Sequence, residues 1–293
     1  MSAEYEVSSI HIIESVGEKD KGVGLELMAR LRRKGGKLAE FPIEHHDVID
    51  RDELAAVLSN IYHKEARFGL APILHFEAHG APEGLILRDR GKTGGKTVPW
   101  NELADRLRPI NIASRFNLLA VFSCCEGIHQ IGVLDTENVC PFCAVVGCEG
   151  GILTAELLDG YEQFYEILIN EGKARKAERA LQAAVTKSAD TRFRFFTCER
   201  AFRTVCKSIK AHNRGPATRA QEIPQLRREL DRQRALHGNL TPSTDAEIEV
   251  IRKNAETKTL QDYFRKFYGV AEIPENLNRF NFDAIIADED GAG

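Results

Sequence analysis

The 293-residue sequence has no apolar run longer than that of Leu118–Phe122, far short of the ~20 residues that a membrane-crossing helix needs. Its opening residues, Met1-Ser-Ala-Glu-Tyr-Glu, are acidic and lack an apolar segment, so no secretory signal is expected and a cytoplasmic location is. Its seven cysteines, an odd number, do not form an evenly paired disulfide framework. In a reducing compartment they read as small buried hydrophobes, with one or two chemically active thiols among them. Internal repeats and low-complexity segments are missing. Composition is that of an ordinary globular chain, 29% charged and 43% hydrophobic, which excludes a collagen-like fibre or a disordered chain.

What is present is an alternation of strand and helix signals over the first 150 residues. Val7–Glu14 reads as a buried strand, and Leu25–Arg33 as a helix stopped by Gly35-Gly36. Lys37–Ile43 reads as a second strand closed by Pro42. Asp50 or Asp52 is placed to cap a helix that carries Leu54, Val57, Leu58 and Ile61 at helical spacing. Ile73–Ala78 is a third strand, Asn101–Leu107 a short helix after Pro99, Phe116–Cys124 the strongest strand, and Phe142–Gly147 a further one. Alternation of this kind implies a mostly parallel sheet between helix layers. Beyond Gly151 the pattern turns helical. Thr154–Asn170 is amphipathic, Pro216, Pro224 and Pro242 punctuate two further helices, and Thr244-Asp-Ala-Glu247 is a capping box. Two regions are expected, residues 1–212 as an α/β domain and 213–293 as a helical C-terminal extension.

In an open α/β sheet, reactive groups collect at the carboxyl ends of strands. The third strand ends in His75-Phe-Glu-Ala-His79-Gly80, and the Phe116–Cys124 strand runs into Ser123-Cys124-Cys125-Glu126-Gly127. Sequential strands are usually neighbours, so a histidine should face a cysteine across the sheet edge. An imidazole beside a thiol is the minimum equipment for thiolate attack on a carbonyl and for protonating the leaving amine. The glycines suit turns whose N–H groups hold an oxyanion. Strand alternation sends Cys124 to the side opposite Cys125, as packing, and makes His75 a core or sheet-facing residue.

At these residues the sequence resembles the caspase-like cysteine peptidases, the clan of caspases, metacaspases and separases, and is most similar to the CHAT branch. Ile73–Gly80 (ILHFEAHG) resembles that branch's strand and His-Gly motif. Gly84-Leu-Ile-Leu-Arg-Asp followed by Val98-Pro-Trp-Asn-Glu-Leu103 resembles its hairpin and helix, and Leu119–Glu126 its strand ending in Ser-Ala-Cys-Glu. The resemblance spans roughly residues 7–170. It implies a three-layer sandwich, a peptidase acting on protein substrates, Cys125 as nucleophile and His79 as base and acid. It also implies that the Gly80 and Cys125 backbone N–H groups are oxyanion donors, and that no metal or organic cofactor is needed. His79 and Cys125 stand 46 residues apart, close to the ~50 seen in caspases. Free-standing members of this kind act in prokaryotic immunity, including antiviral defence, or in cell death. Ser123 stands where relatives with basic P1 preference carry Asp, so the P1 residue stays open.

Other patterns stop short. Gly91–Thr97 lacks the first glycine of a phosphate loop, having Arg90 there, and Gly22-Val-Gly24 lacks the third glycine of a dinucleotide fingerprint. Cys140-Pro-Phe-Cys143 with Cys148 has no second pair to complete a zinc ribbon. A zinc deaminase reading from His75-Phe-Glu77 and Cys140/Cys143 lacks the proline before the first cysteine, where Val139 stands. A catalytically idle caspase-type fold serving as a binding module is the alternative from another class. Charge is uneven: residues 173–234 hold 17 Lys or Arg against 6 Asp or Glu, a balance of +11 that leaves −15 for the rest. That segment is the expected dock for an activating acidic protein, nucleotide or nucleic acid, through arginines such as Arg192, Arg194, Arg200, Arg203, Arg227, Arg228, Arg232 and Arg234. Solvated helix faces are the plainer account of the same run.

Overall fold

The computed structural model of the protein describes residues 7–17, 22–88, 95–150, 154–185, 192–237 and 241–287. Its packing falls into two units, one up to Leu134 together with Val139–Cys198, the other Asp135–Asn138 with the described residues from Glu199 onward.

The first unit is a mixed sheet with helices on both faces. Its elements are β1 (Ser9–Ser15), α1 (Gly24–Arg32), β2 (Ile43–Asp47), α2 (Arg51–Lys64), β3 (Pro72–Ala81), β4 (Gly84–Leu87), β5 (Lys96–Pro99), α3 (Trp100–Ala113), β6 (Leu119–Ser123), β7 (Ala144–Glu149), α4 (Thr154–Glu171), α5 (Ala174–Ala184) and β8 (Arg192–Thr197). The main path runs β2-β1-β3-β6-β7-β8. All pairs along it are parallel except β7–β8. The end of β3 leaves this path to form an antiparallel hairpin with β4, which pairs in turn with β5.

Alternation along the strands sorts side chains to two cores. Ile10 and Ile12 of β1, Ile73 of β3, Leu119 and Val121 of β6 and Val146 of β7 pack with Leu27 and Leu31 of α1 and with Tyr161, Phe164 and Tyr165 of α4. Phe76 and Phe122 lie on the opposite face, where they stack at 5.0 Å with Trp100 edge-on to Phe122. Every residue of β1 is buried because helices cover both sides of a central strand. Asp50, rather than Asp52, caps α2, its carboxylate accepting from the Asp52 and Glu53 N–H groups.

Four expectations are corrected. The Lys37–Ile43 segment is not a strand: Gly36–Glu40 is a 3₁₀ turn, with Leu38 buried and its N–H on Asn170 Oδ1. The strand begins after Pro42, whose missing N–H suits a strand entrance, and runs through the polar Glu44-His45-His46. The helix after Pro99 runs to Ala113, through Pro109. The chain beyond Gly151 is not all helix, because β8 adds an antiparallel edge to β7 by burying Phe193 and Phe195. Finally, Pro224 lies inside one continuous helix, α7 (Pro216–Leu236).

In the second unit, α6 (Cys198–Arg214) and α7 are followed by α8 (Asp245–Phe267), α9 (Asn276–Arg279) and α10 (Phe282–Ala287). Thr244 and Glu247 form the expected capping box on α8. The core is aromatic: Phe202, Phe264, Phe267, Tyr268 and Phe280 are all almost fully buried. Among the described residues no helix is long and apolar enough to cross a membrane.

One buried amide sets where β6 and β7 start. Asn111, on α3, accepts from the Leu118 N–H with Oδ1 and donates Nδ2 to the Cys140 carbonyl at 2.8 Å. Asn111→Ala orphans both backbone groups, and each unpaired buried group costs about 1–3 kcal/mol. The expected loss is about 3 kcal/mol in urea unfolding. A loss below about 1 kcal/mol would show that the two backbone groups find other partners.

Candidate active site

Parallel pairing of β3 with β6 brings Glu77 opposite Ser123, so the two strands leave the sheet side by side at their carboxyl ends. β6 stops at Ser123, and the chain bends through Cys124 into a turn at Cys125-Glu126 before the 3₁₀ segment Gly127–Val133. Glu126 takes left-handed backbone angles, φ 57° and ψ 19°, at a cost of order 1 kcal/mol for a residue with a Cβ. The turn is held by the Gly127 N–H on the Cys124 carbonyl and the Glu126 N–H on the Gly150 carbonyl, both 3.3 Å. Gly127 is required by space, since a Cβ there would sit 2.7 Å from Phe122 Cβ.

His79 and Gly80 stand on the part of β3 that pairs with β4, where His79 is opposite Ile86. Trp100 pins this hairpin: its Nε1 donates to the Ala81 carbonyl at 3.2 Å and its N–H to the Glu83 carbonyl at 3.3 Å. The backbone of Gly80 lies directly on the cysteine turn. A Cβ built on it would fall far inside contact distance of the Cys125 carbonyl oxygen and 3.0 Å from Cys124 Sγ. The two motifs that the sequence singled out therefore touch, through a glycine whose place a Cβ would crowd.

Exposure divides the candidate residues into two groups. Of the seven cysteines, all described, Cys125 alone is not buried. His79 is exposed, whereas His75 is fully buried. Cys124 packs inward, its thiol pushed well above the usual range by burial, which keeps it protonated. Cys148 was not singled out for this role in the sequence. Burial pushes its thiol up to about 12, and its one S–H is shared between the Cys124 carbonyl at 3.3 Å and the Gly150 carbonyl at 3.2 Å. It acts as a prop under the turn. Neither Cys148 nor Trp100 carried a signal in the sequence beyond its position near a motif.

Beneath the turn, strand register lines up a buried polar layer. Glu14 of β1 is opposite Glu77 of β3, and Glu77 is opposite Ser123. The Val23 N–H, just before α1, donates to Glu77 Oε1 at 3.0 Å, while Glu14 pairs with His45 at 2.5 Å. The Gly22-Val-Gly24 segment passes over the Glu14 carboxylate so closely that a Cβ on either glycine would collide with it. These glycines are a fit to a buried acid. Burial, with a contribution from Glu14, pushes the Glu77 carboxyl up to about 7 against the Val23 hydrogen bond. His75 Nδ1 shares a hydrogen bond with the Tyr165 hydroxyl at 2.8 Å, and its ring meets Tyr161 edge-on at 4.6 Å. Burial lowers its pKa to about 3, so it is neutral.

The other candidates have structural partners. Cys140 donates its thiol to the Phe142 carbonyl. His75 is committed to Tyr165, which removes the histidine of the deaminase pattern. Of the phosphate-loop pattern, residues 91–94 lie outside those described, and Lys96 and Thr97 belong to β5. In the basic segment, Arg192 and Arg194 lie on β8. Arg227 pairs with Asp245, Arg232 with Glu229 and Arg234 with Glu247, and Arg203 donates to the Ile285 carbonyl.

Two expected outcomes follow from this geometry. Gly80→Ala should cost about 2 kcal/mol or more in urea unfolding, as overpacking against backbone does. Gly35→Ala, with nothing within 4 Å of its new Cβ, should change stability little. Equal effects would mean that the Gly80 contact relaxes freely. For Glu77, the folded chain keeps the proton up to about pH 7, while the unfolded chain releases it near 4.5. The folded state then binds more protons between these values, so stability falls as pH climbs from 4.5 to 7, by about 3 kcal/mol at most. His75 acts in the opposite sense, with stability lost as pH falls from 6.5 toward 3. The two contributions nearly cancel between pH 4.5 and 6.5, so Glu77→Gln should make stability rise with pH over that range in denaturation measured across pH, and a slope unchanged from the wild type would refute the buried protonated carboxyl.

No protein-family model matches the chain. No curated protein matches it. Among solved structures, the chain is similar to the crystal structure of the Drosophila initiator caspase Dronc, with 10% identical residues, coverage of 67% of this chain and 81% of that one, and a TM-score of 0.43.

Proposed function

We propose that the chain is a cysteine endopeptidase of the caspase-like type, hydrolysing peptide bonds in protein substrates with Cys125 as nucleophile and His79 as general base and acid. The observation that carries this reading is the pairing of accessibility with adjacency. The one cysteine that is not buried stands on the turn against which the His79-Gly80 motif is packed.

In this mechanism His79 takes the proton from Cys125 Sγ, and the thiolate attacks the scissile carbonyl carbon. The Gly80 and Cys125 N–H groups hold the oxyanion, at a turn whose shape the Gly80 contact and the left-handed Glu126 define. His79 then gives its proton to the departing amine, leaving a thioester on Cys125. A water deprotonated by His79 hydrolyses the thioester and restores the thiol. None of these steps requires a metal or an organic cofactor. The finer placement in the CHAT branch belongs to the same proposal, as does a role in prokaryotic immunity or cell death. Both rest on the motifs. Activation by an acidic partner at residues 173–234 rests on the charge distribution alone.

Cleavage profiling on a proteome-derived peptide library tests the assignment. Cys125→Ala and His79→Ala should each lower turnover by about a thousandfold or more, because both act on one covalent step. Cys124→Ala should keep substantial activity, and an acyloxymethyl ketone probe should label Cys125. An inactive Cys124→Ala beside an active Cys125→Ala would move the nucleophile by one residue. Absence of cleavage and of labelling in the wild type would favour the idle binding module.

A further inference from the structure

On the opposite face of the sheet from Glu77, the edge strand β2 and its neighbour β1 bring together a second set of polar groups that the peptidase chemistry does not use. Glu44 and His46 are two residues apart on β2 and so share a face. Parallel register puts His11 opposite Glu44 and Ile13 opposite His46. His11 is buried, His46 is partly exposed, and Glu44 is more than half exposed. His11 Nδ1 and His46 Nε2 are 3.0 Å apart, and Glu44 Oε2 lies 3.9 Å from the first and 3.7 Å from the second.

The geometry points to a divalent-metal site, suited to zinc, formed by His11 Nδ1, His46 Nε2 and Glu44 Oε2, with Glu65 as the outer carboxylate that orients His11. A point in the plane of these three atoms is equidistant from them at about 2.1 Å, the length of a zinc bond to imidazole nitrogen or carboxylate oxygen. The half-exposed Glu44 side leaves room for a water as fourth ligand. Among the described residues this is the one group of three ligating side chains whose donor atoms converge so closely.

The surroundings of His11 distinguish the cluster from a casual meeting of histidines. Its Nε2 is 2.8 Å from Glu65 Oε1, and Glu65 also accepts a hydrogen bond from the Ser9 hydroxyl. Donating Nε2–H to this carboxylate leaves the Nδ1 lone pair directed at His46 and Glu44. Metal-bound histidines are oriented in this way, by a carboxylate on the far nitrogen. Two carboxylates, Glu44 and Glu65, offset the ion's charge against that of Lys64, which lies near enough to act on His46. The metal would clamp the polar edge strand β2 to β1 and to the end of α2.

The test is titration of the full chain with Zn²⁺ against a chromogenic chelator, and with Co²⁺ followed by its visible spectrum. One equivalent should bind. His46→Gln should weaken binding at least about a hundredfold. Glu44→Gln, at an exposed position that leaves the core untouched, should weaken it about tenfold. Glu65→Gln should weaken it about 10–100-fold although Glu65 does not touch the ion. Bound Co²⁺ should show d–d bands without the charge-transfer band of a cobalt–thiolate bond. Failure of either ion to bind stoichiometrically would overturn the site. So would equal affinity in Glu44→Gln and His46→Gln, or a thiolate band that places the ion on the cysteines. Peptide cleavage is not the readout, so the outcome is independent of the fate of the peptidase assignment.

Discussion

The packing of the Gly80 backbone against the Cys125 carbonyl is the constraint around which the carboxyl end of the sheet is built. It requires β3 to continue beyond its parallel partners into a hairpin, and Trp100 holds that hairpin through the Ala81 and Glu83 carbonyls. It also requires β6 to end abruptly, with Glu126 in left-handed conformation and Gly127 folded back under Phe122. Cys148 completes the support from β7, with a thiol that burial keeps protonated and able to donate. Backbone strain and close contacts of this kind persist only where surrounding structure over-determines them.

The sheet carries unusual polar weight for its burial. Glu14, Glu77, His75 and Ser123 face α1 and α4, while Ser9 and His11 face the opposite layer. Such groups are costly in a core unless they are paired or neutral. The two faces resolve this differently. Facing α1, Glu77 holds its proton toward neutrality, His75 gives it up, and backbone N–H groups at the entrance of α1 meet the carboxylates. On the far face, His11, His46 and Glu65 form a chain of hydrogen bonds whose open corner is closed by Glu44.

Much of the fold around the candidate site was legible locally. Period-two and period-3.6 patterns located β1, β3, β6, α1, α2 and α4, because alternation and amphipathicity express burial directly in sequence. His79 and Cys125 followed from their places at strand ends. Where local signals failed, long-range packing had outvoted them. β8 was missed because Arg192-Phe-Arg-Phe-Phe is basic, and only docking on β7 shows Phe193 and Phe195 to be a buried face. β2 was displaced because its strand is a polar run of Glu and His, whereas the apolar Leu38 serves a 3₁₀ turn.

The sequence by itself determined the alternating α/β order, the two strand-end motifs and the inward role of Cys124, since each depends on neighbours a few residues apart. Tertiary structure alone decided which of seven thiols reaches solvent, and that Cys148 props a turn 24 residues earlier. It also decided that His11 meets Glu44 and His46. The physical reason is that register between parallel strands is set by the whole sheet. Residues more than 30 positions apart become side-chain neighbours only once β1, β2 and β3 have paired, and no spacing along the chain records that pairing.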